Sequence, residues 1–211
     1  MRELVLDWVG IISLAILAFL LMVSLASEAS PISSVNQPQA VLDWGHNDWS
    51  VELLKLTRGH LRQLDKATDI SLYCPKYLSL NEEKRSLVWG RLAVAIAKFE
   101  SNYNPKSQMT ESNGSVSQGL FQLTYGDRFC PQTKAEGDLN DPFINMSCAV
   151  KLMADYVEKD GKVASGGYTK YGSPPSRGLA RYWSVIRVPD RKSKHHLAEI
   201  KSITSKAPVC D

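Results

Sequence analysis

The sequence predicts a mainly α fold with minimal β-structure. Apolar residues recur with helical spacing in four segments, which lie at 48–65, 82–100, 141–161 and 178–190. No alternation of apolar and polar residues is long enough to predict a confident strand, although the Gly- and Ser-rich stretch 112–127 leaves room for a small hairpin. A chain of 211 residues suffices for one such domain and its appendages.

Residues 1–29 are predicted to direct export. Residues 8–26 carry no charge, and the small residues at 24 and 26, or at 27 and 29, suit a signal-peptide cleavage site. An uncharged run of this length could also span a bilayer, so a retained anchor is the alternative to the favoured cleavage. Either route delivers the remainder to the periplasm or outside the cell. The membrane is then a partner only through this segment.

Two segments separate the export signal from the strongest helix. Residues 27–40 are rich in Ser and Pro, which is typical of a linker, and Gly59 weakens the amphipathic helix predicted at 48–65. We expect residues 30–68 to form this linker and an accessory helix, whose packing the sequence leaves open. Residues 69–211 are expected to form the main domain, beginning with an irregular stretch around Pro75.

The helix at 82–100 has clear start signals and an unexpected end. Ser79 and Glu82 fit a capping box, and Asn81 is an alternative N-cap. Glu100 lies about 200° around the helix from Lys98, on the apolar side. The polar stripe, with one residue every seven positions, consists of Lys84, Arg91 and Lys98.

Two further helices are expected downstream. The first begins near Pro142 and continues to about residue 161, and the second is an apolar helix at 178–190 that Pro189 closes. The tail 190–211 is basic and ends near Cys210, without a predicted element.

The cysteines agree with export. The chain has four, Cys74, Cys130, Cys148 and Cys210, and an even number in an exported protein predicts two disulfides. Three connectivities are possible; in one of them Cys130–Cys148 closes a short loop and Cys74–Cys210 tethers the C-terminus. No C-x-x-C pair exists and the histidines show no ligand spacing, so neither a metal nor an organic cofactor is predicted.

The charge balance is compatible with an anionic polymer. Residues 1–29 contain one basic and three acidic residues, so their removal leaves 24 basic and 19 acidic residues and a net charge of +5. Such a charge suits a cell wall, and it would also suit nucleic acid or an ordinary soluble surface. Because export and disulfides separate the chain from nucleic acid, we do not predict a nucleic-acid partner. We expect a monomer.

Glu100 is the candidate for chemistry. Burial disfavours the charged form of a carboxyl group, so a glutamate at the end of a buried stripe can hold a proton near neutral pH and donate it. The plain alternative is a helix-end glutamate that bends into solvent or pairs with a lysine.

Four motifs that follow one another along the chain favour a catalytic role for Glu100 over this alternative. They are ESNYNP at 100–105, SQGLFQL at 117–123, DPFIN at 141–145 and LARYW at 179–183. Together they resemble the lytic transglycosylase family with the SLT-type domain, over residues 88–187, about half of the chain. The resemblance implies a lysozyme-like fold with a catalytic cleft between helical lobes, and peptidoglycan glycan strands as substrate. Goose-type lysozymes are related to this family in fold.

The resemblance also implies roles for individual residues. Glu100 matches the single catalytic acid/base, which cleaves between N-acetylmuramic acid and N-acetylglucosamine and then closes a 1,6-anhydro ring. Ser117, Gln122 and Tyr182 match residues of the cleft, and Gly119 is expected to allow close backbone approach. Trp183 stands where the family usually has asparagine, so it is either a stacking platform for a sugar or a core residue.

Two alternatives remain open. A hydrolase would use a second carboxylate, for which Glu111 and Asp127 are the nearby candidates, although an acid is expected at such loop and turn positions anyway. The relation to goose-type lysozymes keeps hydrolysis possible, including hydrolysis of de-N-acetylated strands. The second alternative is a wall-binding protein without activity.

Overall fold

The computed structural model describes residues 42–167, 174–188 and 196–211. The predicted export segment, the linker and Pro189 lie outside these residues. None of the described helices is long and apolar enough to cross a membrane. The helices are α1 (Asn47–Gly59), α2 (Leu61–Leu64), α3 (Glu82–Ser101), α4 (Pro142–Asp160) and α5 (Leu197–Ser205). The strands are β1 (Gln108–Thr110), β2 (Val116–Gln118), β3 (Leu123–Thr124), β4 (Ala164–Ser165) and β5 (Arg177–Gly178).

The amphipathic segment at 48–65 forms two helices instead of one. Helix α1 ends at Gly59, where His60 donates its backbone N–H to the Thr57 carbonyl, and α2 begins directly afterwards. Glycine has a low helix propensity, which accounts for the break. Helix α1 packs against α3 and α4, and Leu53 at its centre is fully buried. The accessory helix is therefore part of the common core.

Helix α3 is the central element, and its N-cap is Asn81. The Asn81 side chain accepts a hydrogen bond from the Lys84 N–H at 3.0 Å, whereas the Ser79 hydroxyl donates to the Lys76 carbonyl. The alternative cap is therefore confirmed, and the capping box through Ser79 is wrong. Glu82 and the following acid lie in the first turn, where they favour the positive end of the helix dipole.

The polar stripe of α3 is not a solvated face along its whole length. Every residue of 88–97 is buried, including Arg91, because α5 packs on the side that was expected to face water. The Arg91 guanidinium donates to the Ile203 carbonyl at 3.4 Å and lies 4.0 Å from the Asp43 carboxylate. A helix after residue 195 was not predicted, so the burial of this arginine was not predicted either.

A small antiparallel sheet follows α3, with β2 between β1 and β3. Ser117 in β2 pairs with Met109 on one side and with Thr124 on the other. The strands have only two or three residues each, too few to show an alternating pattern in the sequence. The expected hairpin is thus extended by a third strand.

Helix α4 begins and ends as the sequence predicts. The Asp141 carboxylate accepts from the backbone N–H groups of residues 143 and 144, Pro142 occupies the first turn, and Gly161 caps the end in a left-handed conformation. The buried Asn145 side chain donates to the carbonyls of Gln118 and Leu139 and accepts from the Phe121 N–H. One asparagine of α4 thereby fixes the sheet to the helical core.

The apolar helix predicted at 178–190 is wrong. Residues Leu179–Arg181 and Ser184–Ile186 form two short 3₁₀ turns, and Trp183 between them is extended, with φ −84° and ψ 118°. Tertiary contacts override the helical pattern here. The Trp183 indole N–H donates to the Phe121 carbonyl at 2.9 Å, and the Tyr182 hydroxyl reaches the backbone of β3.

The disulfides join Cys74 to Cys210 and Cys130 to Cys148. One of the three possible connectivities is thereby selected, with a short loop and a tethered C-terminus. Helix α5 precedes Cys210 and packs on α3, so the tether holds the C-terminal helix against the central one. The mainly α prediction is confirmed.

Candidate active site

A cavity of about 260 Å³ lies between the C-terminal end of α3, the three-stranded sheet and the segment 182–187. It brings together all five residues that the sequence singles out, although they are distributed over more than eighty positions. These are Glu100, Ser117, Gln122, Tyr182 and Trp183. The cavity also contains residues to which the sequence assigned no role or only a weak one, above all Glu111 and Arg187.

Glu100 occupies the last turn of α3 and is half-buried. The pKa of its carboxyl group is raised to about 7, mainly by burial and also by the negative charge of Glu111, while the Arg187 guanidinium opposes both. After the helix, Asn102 and Tyr103 have positive φ values of 50° and 65°, which turn the chain away at once. The carboxyl group therefore stands at the end of a rigid helix and keeps its proton near neutral pH.

Glu111 lies in the turn between β1 and β2. Its backbone N–H donates to the Ser115 carbonyl at 2.8 Å, and its side-chain oxygen accepts a hydrogen bond from the Ser117 hydroxyl at 2.7 Å. Its position in a polar loop predicted an exposed acid, but the residue is half-buried and lines the cavity. Ser117 thus holds the second carboxylate of the site.

Gln122 combines a place in the cavity wall with a structural contact. Its φ is +49°, and its side-chain amide donates to the carbonyls of Ser107 at 3.0 Å and Gly119 at 2.9 Å. Gly119 has a φ of +76°, and a Cβ there would come within 2.2 Å of the Leu139 carbonyl oxygen, so close backbone approach does require glycine. The segment SQGLFQL is consequently a tight, hydrogen-bonded turn that shapes one wall of the cavity.

Tyr182 connects the opposite wall to the sheet. Its hydroxyl accepts from the Thr124 N–H at 3.1 Å and donates to the Gln122 carbonyl at 3.5 Å. Burial raises its pKa to about 12, and the charge of Glu100 contributes to this rise. The phenol is therefore neutral at physiological pH and acts as a hydrogen-bonding group beside the Glu100 carboxyl.

Trp183 forms the inner wall of the cavity. Its side chain is 1% exposed, and its ring contacts Tyr182 edge-on at a centroid distance of 5.2 Å. Because Trp183 is buried and bonded to the Phe121 carbonyl, it is a core residue that also lines the cavity. Contact with a sugar stays a prediction.

Arg187 is the main cavity residue that no sequence motif predicted. Its guanidinium donates to the Ala180 carbonyl at 2.8 Å and to the Tyr182 carbonyl at 3.5 Å, and it lines the cavity beside the two glutamates. Its place between Ile186 and Val188, within an apolar segment, is the signal that could have identified it. Asp127, the other candidate for a second carboxylate, does not line the cavity, and it accepts from the Phe129 N–H at 3.3 Å.

The arrangement can donate a proton to a bound polar ligand and accept a proton from it. It combines a carboxyl group that retains its proton, a carboxylate held by a serine, and a neutral phenol. Within the described residues, no group of three or more His, Cys, Asp or Glu side chains is arranged to hold a metal ion.

Comparisons with known proteins identify the family and the fold. The family model described as Transglycosylase SLT domain matches residues 78–171. The chain is similar to the solved structure of Bd0314 DslA in its wild-type form 2, with a TM-score of 0.67 and 31% identity over 78% of this chain and 91% of that chain. A comparison with curated proteins finds no match.

Two further solved structures are glutamate-to-glutamine variants of Bd0314 DslA. One matches with a TM-score of 0.66 and 30% identity over 78% of this chain and 91% of that chain. The other matches with a TM-score of 0.63 and 28% identity over 85% of this chain and 95% of that chain. These similarities confirm the lysozyme-like fold class. The chain belongs to the family of proteins with a transglycosylase SLT domain.

Proposed function

We propose that the protein cleaves the β-1,4 bond between N-acetylmuramic acid and N-acetylglucosamine in peptidoglycan, with Glu100 as the proton donor. The observation that carries this proposal is the position of Glu100, which lines the cavity and has a pKa raised to about 7. A carboxyl group with this pKa can protonate the bridging oxygen as the bond breaks. Membership of the SLT family supports peptidoglycan as the substrate.

Glu111 favours hydrolysis as the second half of the reaction. Hydrolases of this kind use two carboxylates, of which one donates a proton to the leaving oxygen and the other accepts a proton from water. Glu111 lines the same cavity, and the Ser117 hydroxyl holds it at 2.7 Å. The two glutamates replaced in the variants of Bd0314 DslA are eleven positions apart, and the separation between Glu100 and Glu111 is the same. We therefore propose hydrolysis to a free reducing end as the principal outcome.

Ring closure is the second candidate, and family membership favours it. In this reaction Glu100, deprotonated after the first step, takes the proton of the muramic acid C6 hydroxyl, and that oxygen closes a 1,6-anhydro ring. One residue then serves as both acid and base. This is the outcome to which the sequence motifs gave priority.

Product masses and one variant distinguish the two outcomes. Digested peptidoglycan should yield fragments with free reducing ends, heavier by one water than anhydro fragments. Glu111→Gln should lower kcat/KM by about 10²–10⁴-fold if Glu111 activates water. The matched control is Asp127→Asn, since this acid lies outside the cavity lining. Anhydro products, together with an active Glu111→Gln protein, would establish ring closure instead.

A wall-binding protein without activity is distinguished by Glu100→Gln. The enzyme proposal expects wild-type protein to clear a peptidoglycan suspension and the variant to lose about 10²–10⁴-fold in rate with its fold intact. A wild type that binds the wall, clears nothing and behaves like the variant would support the binding protein.

We also propose that residues 1–29 deliver the protein across a membrane, on the sequence argument alone. N-terminal sequencing of protein isolated from the producing cell tests this. A start near residue 27 or 30 supports cleavage, and an intact N-terminus in the membrane fraction supports the anchor. A soluble protein with an intact N-terminus would refute the proposal.

A further inference from the structure

We propose that a second groove, outside the catalytic cavity, binds the peptide stems of the glycan strand that the cavity cleaves. The peripheral groove has a volume of about 460 Å³ and lies between residues 128–129 and the C-terminal half of α4. It shares no lining residue with the catalytic cavity. This proposal rests on the proposed function, because the stems are part of the same polymer.

The floor of the peripheral groove is aromatic. The rings of Phe129 and Tyr156 lie 5.4 Å apart, and Phe129 is only 6% exposed. The Arg128 guanidinium lies 4.7 Å from the centroid of the Phe129 ring, in a cation–π contact. The guanidinium is therefore held at the edge of the groove instead of moving freely in solvent.

The charges of the peripheral groove leave two cations available. Of its two acids, Asp155 pairs with Lys151 at 2.8 Å, and Glu158 pairs with Lys66 at 2.6 Å. Arg128 and Lys159 form no ion pair with any described residue. Arginine binds carboxylates with a fixed fork of donors, and lysine adds a point charge. These two residues are suited to carboxylates of a bound ligand.

The peripheral groove adjoins the catalytic cavity on the side of Tyr182. The Tyr182 hydroxyl accepts from the N–H of Thr124, which also lines the cavity, and the Thr124 carbonyl accepts from the Asp127 N–H at 3.4 Å. The Asp127 side chain accepts from the N–H of Phe129, which lies at the floor of the groove. Tyr156 lines the groove and Tyr182 lines the cavity. A strand held in the cavity can thus present the substituents of its neighbouring sugars to the groove.

The mixture of charges favours a peptide over a polyphosphate. Peptide stems are attached to muramic acid, and they carry free carboxylates and, where a diamino acid is present, an amino group. The groove offers Arg128 and Lys159 to carboxylates, the half-buried Tyr156 ring to the aliphatic parts, and Asp155, beside Lys151, to an amino group. A uniformly anionic chain has no positive group to offer to Asp155 or Glu158.

The test compares two substrates with and without stems. Peptidoglycan strands are digested before and after an amidase has removed their peptides. The Arg128→Ala/Lys159→Ala protein should lose roughly five- to tenfold in kcat/KM on stem-bearing strands and nothing on stem-free strands. The control, Arg58→Ala/Lys84→Ala, removes the same charges outside both sites and should equal wild type. An equal loss on both substrates, or none on either, would overturn the proposal.

A binding measurement separates this proposal from the proposed function. The binding of Glu100→Gln protein, with and without the two groove changes, is measured on both substrates after the glycan strands have been immobilised on beads. The groove changes should reduce the bound fraction only when stems are present. If wild type cleaves neither substrate but this difference is found, the groove assignment stands and the proposed function fails. If the bound fractions are equal, the assignment fails, whatever the activity.

Discussion

The two walls that hold the glutamates of the cavity are built differently. Glu100 lies in the last turn of helix α3, in which every residue of 88–97 is buried, and α1, α2, α5 and the turn Ser184–Ile186 pack against this helix. Glu111 stands in a turn between two strands of three residues, and β1 is exposed along its whole length. The core fixes the position of the proton donor. Local hydrogen bonds, above all that from Ser117, fix the second carboxylate.

This difference predicts how each wall responds to mutation. Changes that loosen the packing of α3 should lower stability and activity together, because the same contacts serve both. Changes around β1 and β2 should lower activity with little loss of stability, because few buried contacts are involved.

The largest difference in stability is expected between the two disulfides. Cys74–Cys210 links residues 136 positions apart and supports the α3 wall, whereas Cys130–Cys148 spans 18 positions. Since a longer loop gains more entropy on opening, Cys74→Ser/Cys210→Ser should cost about 2–5 kcal/mol, about 1–2 kcal/mol more than Cys130→Ser/Cys148→Ser. Guanidinium unfolding of both variants measures this. Equal costs would show that the α3 wall does not depend on the tether.

The link between the walls is tested at Asn145. Asn145→Ala leaves two carbonyls and one N–H in the core without their partner, so it should destabilise the protein by roughly 2–3 kcal/mol and lower kcat/KM as the sheet shifts. The control is Asn113→Ala in the exposed hairpin turn, which should cost less than about 1 kcal/mol. A change at Asn145 that left both quantities intact would contradict the account of how the sheet is fixed.

Ser117→Ala tests the sheet wall by itself. Loss of the hydrogen bond to Glu111 should lower kcat/KM roughly ten- to a hundredfold, as expected for a bond to a charged group. The unfolding free energy should change by less than about 1 kcal/mol. Ser115→Ala, in the same hairpin, is the control, since its hydroxyl contacts Asn113 and not a glutamate. A large loss of stability in Ser117→Ala would contradict the statement that the wall holding Glu111 contributes little to the stability of the fold.

The smallest effect is a shift in pH dependence. Glu100 must be protonated to donate, so kcat/KM should fall as pH rises through its pKa of about 7. Arg187→Gln removes a charge that lowers this pKa, so the fall should move to higher pH. Arg187→Lys keeps the charge and should keep the wild-type profile. A shift to lower pH would contradict the assignment of Arg187 as a charge that lowers the pKa of Glu100.

The elements that could be predicted from the sequence carry their signals locally. Helix α4 has its cap at Asp141, its proline in the first turn and its glycine at the end, within one continuous segment. Glu100 could be assigned to the core side of α3 because a long helix repeats its face. The order of the motifs predicted that Ser117, Gln122 and Tyr182 share a cleft with Glu100, and all three line the same cavity.

The elements that could not be predicted depend on distant contacts. The segment 178–190 has an apolar helical pattern, but Trp183 bonds to Phe121, sixty-two positions earlier, and the helix does not form. The spacing of Arg91 predicts a surface residue, but α5 covers it in the folded protein. Glu111 resembles an ordinary loop acid, since its contact with Ser117 and its place beside Glu100 arise only when the sheet folds back.

The central claim is that Glu100 keeps its proton near neutral pH because it is buried and faces Glu111. A carbon-13 NMR titration of the Glu100 side-chain carboxyl, assigned by comparison with Glu100→Gln, measures this directly. In wild type the midpoint should be near pH 7, and in Glu111→Gln it should be lower, because a raising charge is removed. A wild-type midpoint near the ordinary glutamate value of about 4.3, unchanged in Glu111→Gln, would contradict the account.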